Sequence, residues 1–159
     1  MKLFLLLPLL MFATPVSAAW EADSNTSKKS WFYAAFGRDD ARTVELQVYC
    51  DFKFPGELTL LLFTGEDFDP RGEDAGDLDV TASVDGTKFG PLKGYNDDIG
   101  GERTIVVESS NEGGVLDVLN AMRGAKNPVQ ISYKQTRHSF SVEGIEESVG
   151  SVIDGCQRK

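Results

Sequence analysis

Two spacings of apolar residues divide this chain. Val44, Leu46, Val48 and Cys50 share one parity while Glu45, Gln47 and Tyr49 share the other, which predicts a strand with one buried face and Cys50 turned inward. Asp51 to Gly56, with Pro55-Gly56, turns the chain into Leu58, Leu60 and Leu62, so the two runs form an antiparallel hairpin. Leu78, Val80, Ala82 and Val84 repeat the alternation and stop at Asp85-Gly86, a hairpin dipeptide. Ile105 to Val107 and then Val129, Ile131 and Tyr133 give further strands, and Phe140 and Val142 alternate with Ser139, Ser141 and Glu143 in the last one. Trp31 to Phe36 carries aromatic residues on both parities; a central strand is the reading, with an aromatic binding patch as the alternative.

The second spacing is helical. Val115, Val118, Leu119 and Met122 describe a short helix stopped by Gly124 and Pro128. After Gly144, the residues Ile145, Val149, Val152, Ile153 and Cys156 form the apolar stripe of a closing helix, with Cys156 on its buried side. Between these elements the pattern is silent. Residues 20–30 are polar and small and predict a flexible entry segment, Lys88 to Gly101 predicts an irregular course between short strands, and Tyr95 to Asp98 predicts a turn. The fold class is therefore α+β and β-rich: an antiparallel sheet or sandwich with two short helices in the C-terminal half, forming a single domain over 31–159.

The first residues change the chemistry expected of the cysteines. Lys2, the apolar run Leu3 to Phe12 and the small residues Thr14 to Ala19 read as a cleaved signal peptide over 1–19, with a run too short to span a bilayer and no cysteine immediately following the cleavage point. A secreted chain whose only cysteines are Cys50 and Cys156 has one possible internal pairing, and both face inward, so a disulfide is expected between them. Loss of Lys2 with the signal leaves 15 of the 16 basic residues and all 25 acids, a net charge of −10. That balance argues against nucleic acid and anionic lipid and is compatible with a cationic partner, although solubility alone also accounts for it. Asn25-Thr26-Ser27 matches a glycosylation sequon, relevant only in a eukaryotic cell.

Candidate chemistry is sparse. The densest acidic stretch contains Asp67, Asp69, Glu73, Asp74, Asp77 and Asp79, and Asp97 and Asp98 make a second acidic spot. Set on the helix-loop-helix calcium template, Asp67, Asp69 and Gly72 fit, but Arg71 and Leu78 fall where oxygen donors are needed, so both stretches read as solvated loops and, at most, as a binding surface. His138 is the sole histidine and shares the parity of Phe140, which fits a structural or rim position. No Gly-x-Ser-x-Gly elbow occurs; paired cysteines leave no thiolate, zinc would lack its usual ligands, and the Gly pairs lack the lysine of a phosphate loop. No cofactor is expected.

The early strand ending in Cys50, the aspartate of Val84-Asp85-Gly86, the short helix Val115 to Met122, the Phe140-x-Val142-x-Gly144 run and the final helix with Cys156 together resemble a family of small exported bacterial proteins. That family includes invasion-associated locus B proteins and VasI-like accessory proteins of type VI secretion. The chain departs from it in lacking a tryptophan in its middle region. The resemblance implies a non-enzymatic, β-rich envelope protein with a buried disulfide and brings no catalytic residues.

The expected function is thus a periplasmic or secreted binding or accessory protein contacting an envelope protein or a glycan. Two alternatives belong to other classes: an inhibitor or immunity protein covering a basic cell-wall-active enzyme through its acidic loops, and an unrecognised hydrolase built around His138 or two close carboxylates.

Overall fold

The computed structural model describes residues 19–70, 76–110 and 114–157. Apart from Ala19, the predicted signal peptide lies outside them, as do Glu73 and Asp74. The described residues form nine strands and two helices: β1 (Trp20–Asn25), β2 (Phe32–Arg38), β3 (Glu45–Asp51), β4 (Thr59–Asp67), β5 (Asp77–Val84), β6 (Thr87–Ile99), β7 (Glu102–Glu108), α1 (Gly114–Arg123), β8 (Val129–Tyr133), β9 (Thr136–Phe140) and α2 (Ile145–Gln157). All strands belong to one antiparallel sheet in the order β1-β2-β3-β4-β7-β6-β5-β8-β9. The expected β-rich α+β class with two C-terminal helices is what the chain adopts, as a single sheet.

Alternation sets the sheet's two faces. Leu46, Val48 and Cys50 of β3, Leu60 and Leu62 of β4, Val80, Ala82 and Val84 of β5 and Ile105 and Val107 of β7 all point to one side and are buried there. Both helices pack on this inner side, α2 against β1, β2 and β3 and α1 against β5, β6 and α2. The apolar stripe of α2 is buried, and the Cys50–Cys156 disulfide joins it to β3 with the Cα atoms 6.1 Å apart. Side chains from six strands, Leu60 and Ile131 among them, surround a void of about 10 Å³ in the core. That is at the lower limit of the ~10–15 Å³ needed to hold a single water.

The sheet curls until its ends meet. The amide N–H of Trp20 donates to the Glu143 carbonyl at 3.0 Å, its indole Nε1 donates to the Ser141 carbonyl at 2.6 Å, and Asp39 bridges to Phe140. Here the structure corrects the expected flexible segment over 20–30: its first part is β1, paired with β2 from Trp20↔Gly37 to Asn25↔Phe32. One residue explains why periodicity missed it. Trp20 is buried on Phe140 and over Gly37, where an added Cβ would lie 2.5 Å from the indole, while every other residue of β1 is exposed.

A second correction concerns 88–101. Instead of an irregular course, the chain runs through the 13-residue β6, and the expected turn at Tyr95 to Asp98 is strand paired with β7, with Tyr95 also opposite Asp77 of β5. The register shifts opposite Val80 and Ala82, where Gly90 and Pro91 form a bulge, so the proline's missing N–H interrupts no regular ladder. Gly94 is needed inside the strand because a Cβ there would come within 2.9 Å of the Val106 carbonyl oxygen. Glycine and proline, read along the sequence as loop signals, are thus the means by which a long strand is fitted between two neighbours.

Candidate functional site: the outer face of the sheet

Because α1 and α2 both lie inside, the opposite face of β2, β3, β4, β7 and β6 carries no helix among the described residues. A polar surface is the usual complement of a covered face. This one is only partly polar. The register aligns Phe36, Gln47, Leu61, Val106 and Tyr95 as a continuous row across five strands, flanked on one side by Ala34, Tyr49, Thr59 and Glu108 and on the other by Arg38, Glu45, Phe63, Thr104 and Asp97. Ala34 and Val106 are buried although they stand outside the inner core, because the aromatic and aliphatic side chains around them exclude water. Phe32 stacks on Tyr49 at 6.4 Å and 24°. Beyond Asp51, the β3–β4 turn adds Phe52 and Phe54, respectively 42% and 63% exposed.

Two phenols on this face are held by carboxylates. Tyr49 donates to Asp51 Oδ2 at 3.1 Å and Tyr95 donates to Glu108 Oε1 at 3.0 Å. Partial burial pushes each hydroxyl up to about 12, and the adjacent carboxylate adds to the shift by accepting the proton's hydrogen bond and by charge. Asp97 and Glu57 raise Tyr95 further through their fields, so negative charge gathers near its hydroxyl.

The acidic residues singled out in the sequence divide. Asp77 is the Cα partner of Tyr95, and Asp97 follows Tyr95 by two residues on the same side of β6, so both border the aromatic row. Asp67 ends β4 opposite Glu102, and Asp69 is exposed in the loop beyond it. Asp98 turns away from Tyr95 and accepts the Gly101 N–H at 2.8 Å, the work of a turn residue. Phe68 N–H donates to the Gly101 carbonyl, which places the two acidic stretches at one end of the sheet. Asp79 forms an ion pair with Lys93. Among the described residues no group of three His, Cys, Asp or Glu is arranged to hold a metal ion, and no helix is long and apolar enough to cross a membrane.

His138 lies elsewhere, at the seam where the sheet closes. Its Nδ1 is 3.2 Å from Asp39 Oδ2, its ring stacks on Tyr133, and Nε2 is buried without a protein partner. Asp39 Oδ1 accepts the N–H groups of Thr43 and Val44 at 2.8 and 3.1 Å. Burial tends to raise the Asp39 carboxyl, but these two amides and His138 outweigh it, and the pKa is lowered. A histidine–aspartate pair has the composition of a base and its orienting group, yet a general base must reach a substrate proton. The open hollow beside this seam is lined by Asp39, Arg42 and Glu143, among others, and His138 is not part of its wall.

The sequence reading put Tyr49 on the outward parity of its strand, took Tyr95 into a turn and gave no role to Leu61 or Glu108. A signal was present: Leu60 to Phe63 and Ile105 to Val107 are apolar on both parities, which a strand with one solvated face does not require. No protein-family model matches this chain, and comparison with curated proteins and with solved structures finds none similar to it.

Proposed function

We propose that this protein is an exported, non-catalytic binding protein of the bacterial envelope that holds a protein partner on the outer face of its sheet. The observation that carries the reading is the row Phe36, Gln47, Leu61, Val106 and Tyr95: aromatic and aliphatic side chains with one glutamine among them, fixed on a rigid sheet, on the side that neither helix among the described residues covers. Half-buried aromatic residues ringed by polar ones are the composition of an interface centre. A non-catalytic role is supported by the sealed Nε2 of His138 and by carboxylates engaged in turn and phenol hydrogen bonds. The reading of residues 1–19 as an export signal and the resemblance to the invasion-associated locus B and VasI-like proteins support a setting in the periplasm or outside the cell. The inhibitor reading shares the same face and is favoured by the acids at its border.

The test is a photo-crosslinking amino acid placed at Leu61 or, as a control, at Glu146 of α2, in cells producing the protein with its signal. A discrete adduct from Leu61 and none from Glu146 is expected. Equal adducts from both positions, or none from Leu61, would exclude this face as the contact surface.

A further inference from the structure

The outer face has a polarised border, and the polarity is concentrated around one ring. Tyr95 has Asp77 as its neighbour across to β5, Asp97 two residues along its own strand, and Glu108 accepting its hydroxyl hydrogen at 3.0 Å. That hydrogen bond pins the ring. The Tyr95 side chain is partly exposed, as are Asp77 and Asp97, so a ring edge or face and two carboxylates remain open to a ligand. An aromatic face attracts a cation through its quadrupole, and carboxylates within reach add charge and hydrogen-bond acceptors in the plane that a guanidinium presents. Lys93, two residues before Tyr95 on the same side of β6, is ion-paired with Asp79, so the border keeps an excess of negative charge. A neutral glycan would leave the carboxylates without charge complements, whereas a basic protein segment matches both the apolar row and its acidic border.

We propose that the Tyr95 corner seats an arginine or lysine side chain of the protein partner, with Asp77 and Asp97 as its counter-charges and Leu61 and Phe36 receiving apolar residues beside it. This rests on the assignment of the outer face as the contact surface. The ring of Tyr95, not its hydroxyl, provides the platform.

The probe is an arginine–serine peptide, with a citrulline–serine peptide of the same length as its neutral counterpart, measured by calorimetry against the full mature protein at low and at physiological salt. The arginine peptide is expected to bind with an affinity that falls with salt, and the citrulline peptide to bind at least about tenfold more weakly. Asp77→Asn with Asp97→Asn is expected to weaken arginine-peptide binding about tenfold, and Glu146→Gln with Glu147→Gln, which removes the same charge from α2, to change it less than about twofold. Tyr95→Phe should keep the affinity within about twofold and Tyr95→Leu should lose about tenfold. Absence of binding to the wild-type protein, equal binding of the citrulline peptide, or equal loss in the α2 variant overturns the proposal. Crosslinking from Leu61 that persists undiminished in the Asp77→Asn, Asp97→Asn protein would also overturn it while leaving the contact face standing; loss of crosslinking in that protein supports it.

Discussion

Individual side chains on this protein carry opposite pH dependences, and each follows from its partners. Asp39 is buried and accepts two backbone amides beside His138, so its folded pKa lies below the ordinary value of 3.8. A depressed carboxyl contributes stability that is fully present above the ordinary pKa and is lost as pH falls through the folded one. Asp39→Asn should therefore cost about 1 to 3 kcal/mol at neutral pH and flatten the acid limb of a stability–pH curve measured by denaturant unfolding. Tyr49 and Tyr95 behave in the reverse sense. Their folded pKa values, raised to about 12, favour the protonated phenol, so their contribution is complete below the ordinary value of 10.0 and disappears as pH rises through 12. Phenolate absorbance should show a late-titrating fraction that Tyr49→Phe and Tyr95→Phe each reduce. A titration unchanged by both substitutions would contradict the hydrogen bonds to Asp51 and Glu108.

At the level of elements, β1 depends on a single residue. Trp20→Ala removes the only buried side chain of the strand and its indole hydrogen bond, and a loss of about 3 to 5 kcal/mol is expected in chemical denaturation, with β1 amides becoming the fastest to exchange in the sheet. Closing helix α2 has the opposite sensitivity, to added bulk. Gly155 faces the Tyr33 ring, with an added Cβ only 2.6 Å away, so Gly155→Ala should destabilise by about 1 to 3 kcal/mol despite alanine's better helix propensity. These cases also mark what was readable in the chain. β3, β4, β5, β8 and both helices announce themselves because their apolar residues recur at a fixed period on one buried face. β1 and β6 do not, since a single anchor tryptophan and a bulged run of Gly and Pro have no period to detect. The candidate site was less legible still. Asp77 and Asp97 stood out as acids, but their meaning depends on Tyr95 lying between them, and that follows from strand order, which places β6 between β5 and β7.

For the whole molecule, the sheet's inner and outer faces have separate duties. The inner face is consumed by the two helices and the disulfide, and the outer face carries the proposed contacts. Stability and binding should consequently be separable. Cys50→Ser with Cys156→Ser opens a loop closed over a sequence separation of 106 and should cost up to about 4.7 kcal/mol in the chain-entropy account. Conversely, Asp77→Asn with Asp97→Asn, both on the exposed border, should leave the unfolding midpoint nearly unchanged while altering peptide affinity.

The seam at Trp20 has a consequence for how the molecule comes into being. Its first described strand is fastened by Ser141 and Glu143, and its third by Cys156, so neither can settle until residues 141–156 have been made. A chain made amino end first therefore holds these strands unfastened until that stretch is present. Truncation just before Ser139, which removes Phe140, Ser141, Glu143 and Cys156, should then leave a species without a native closure.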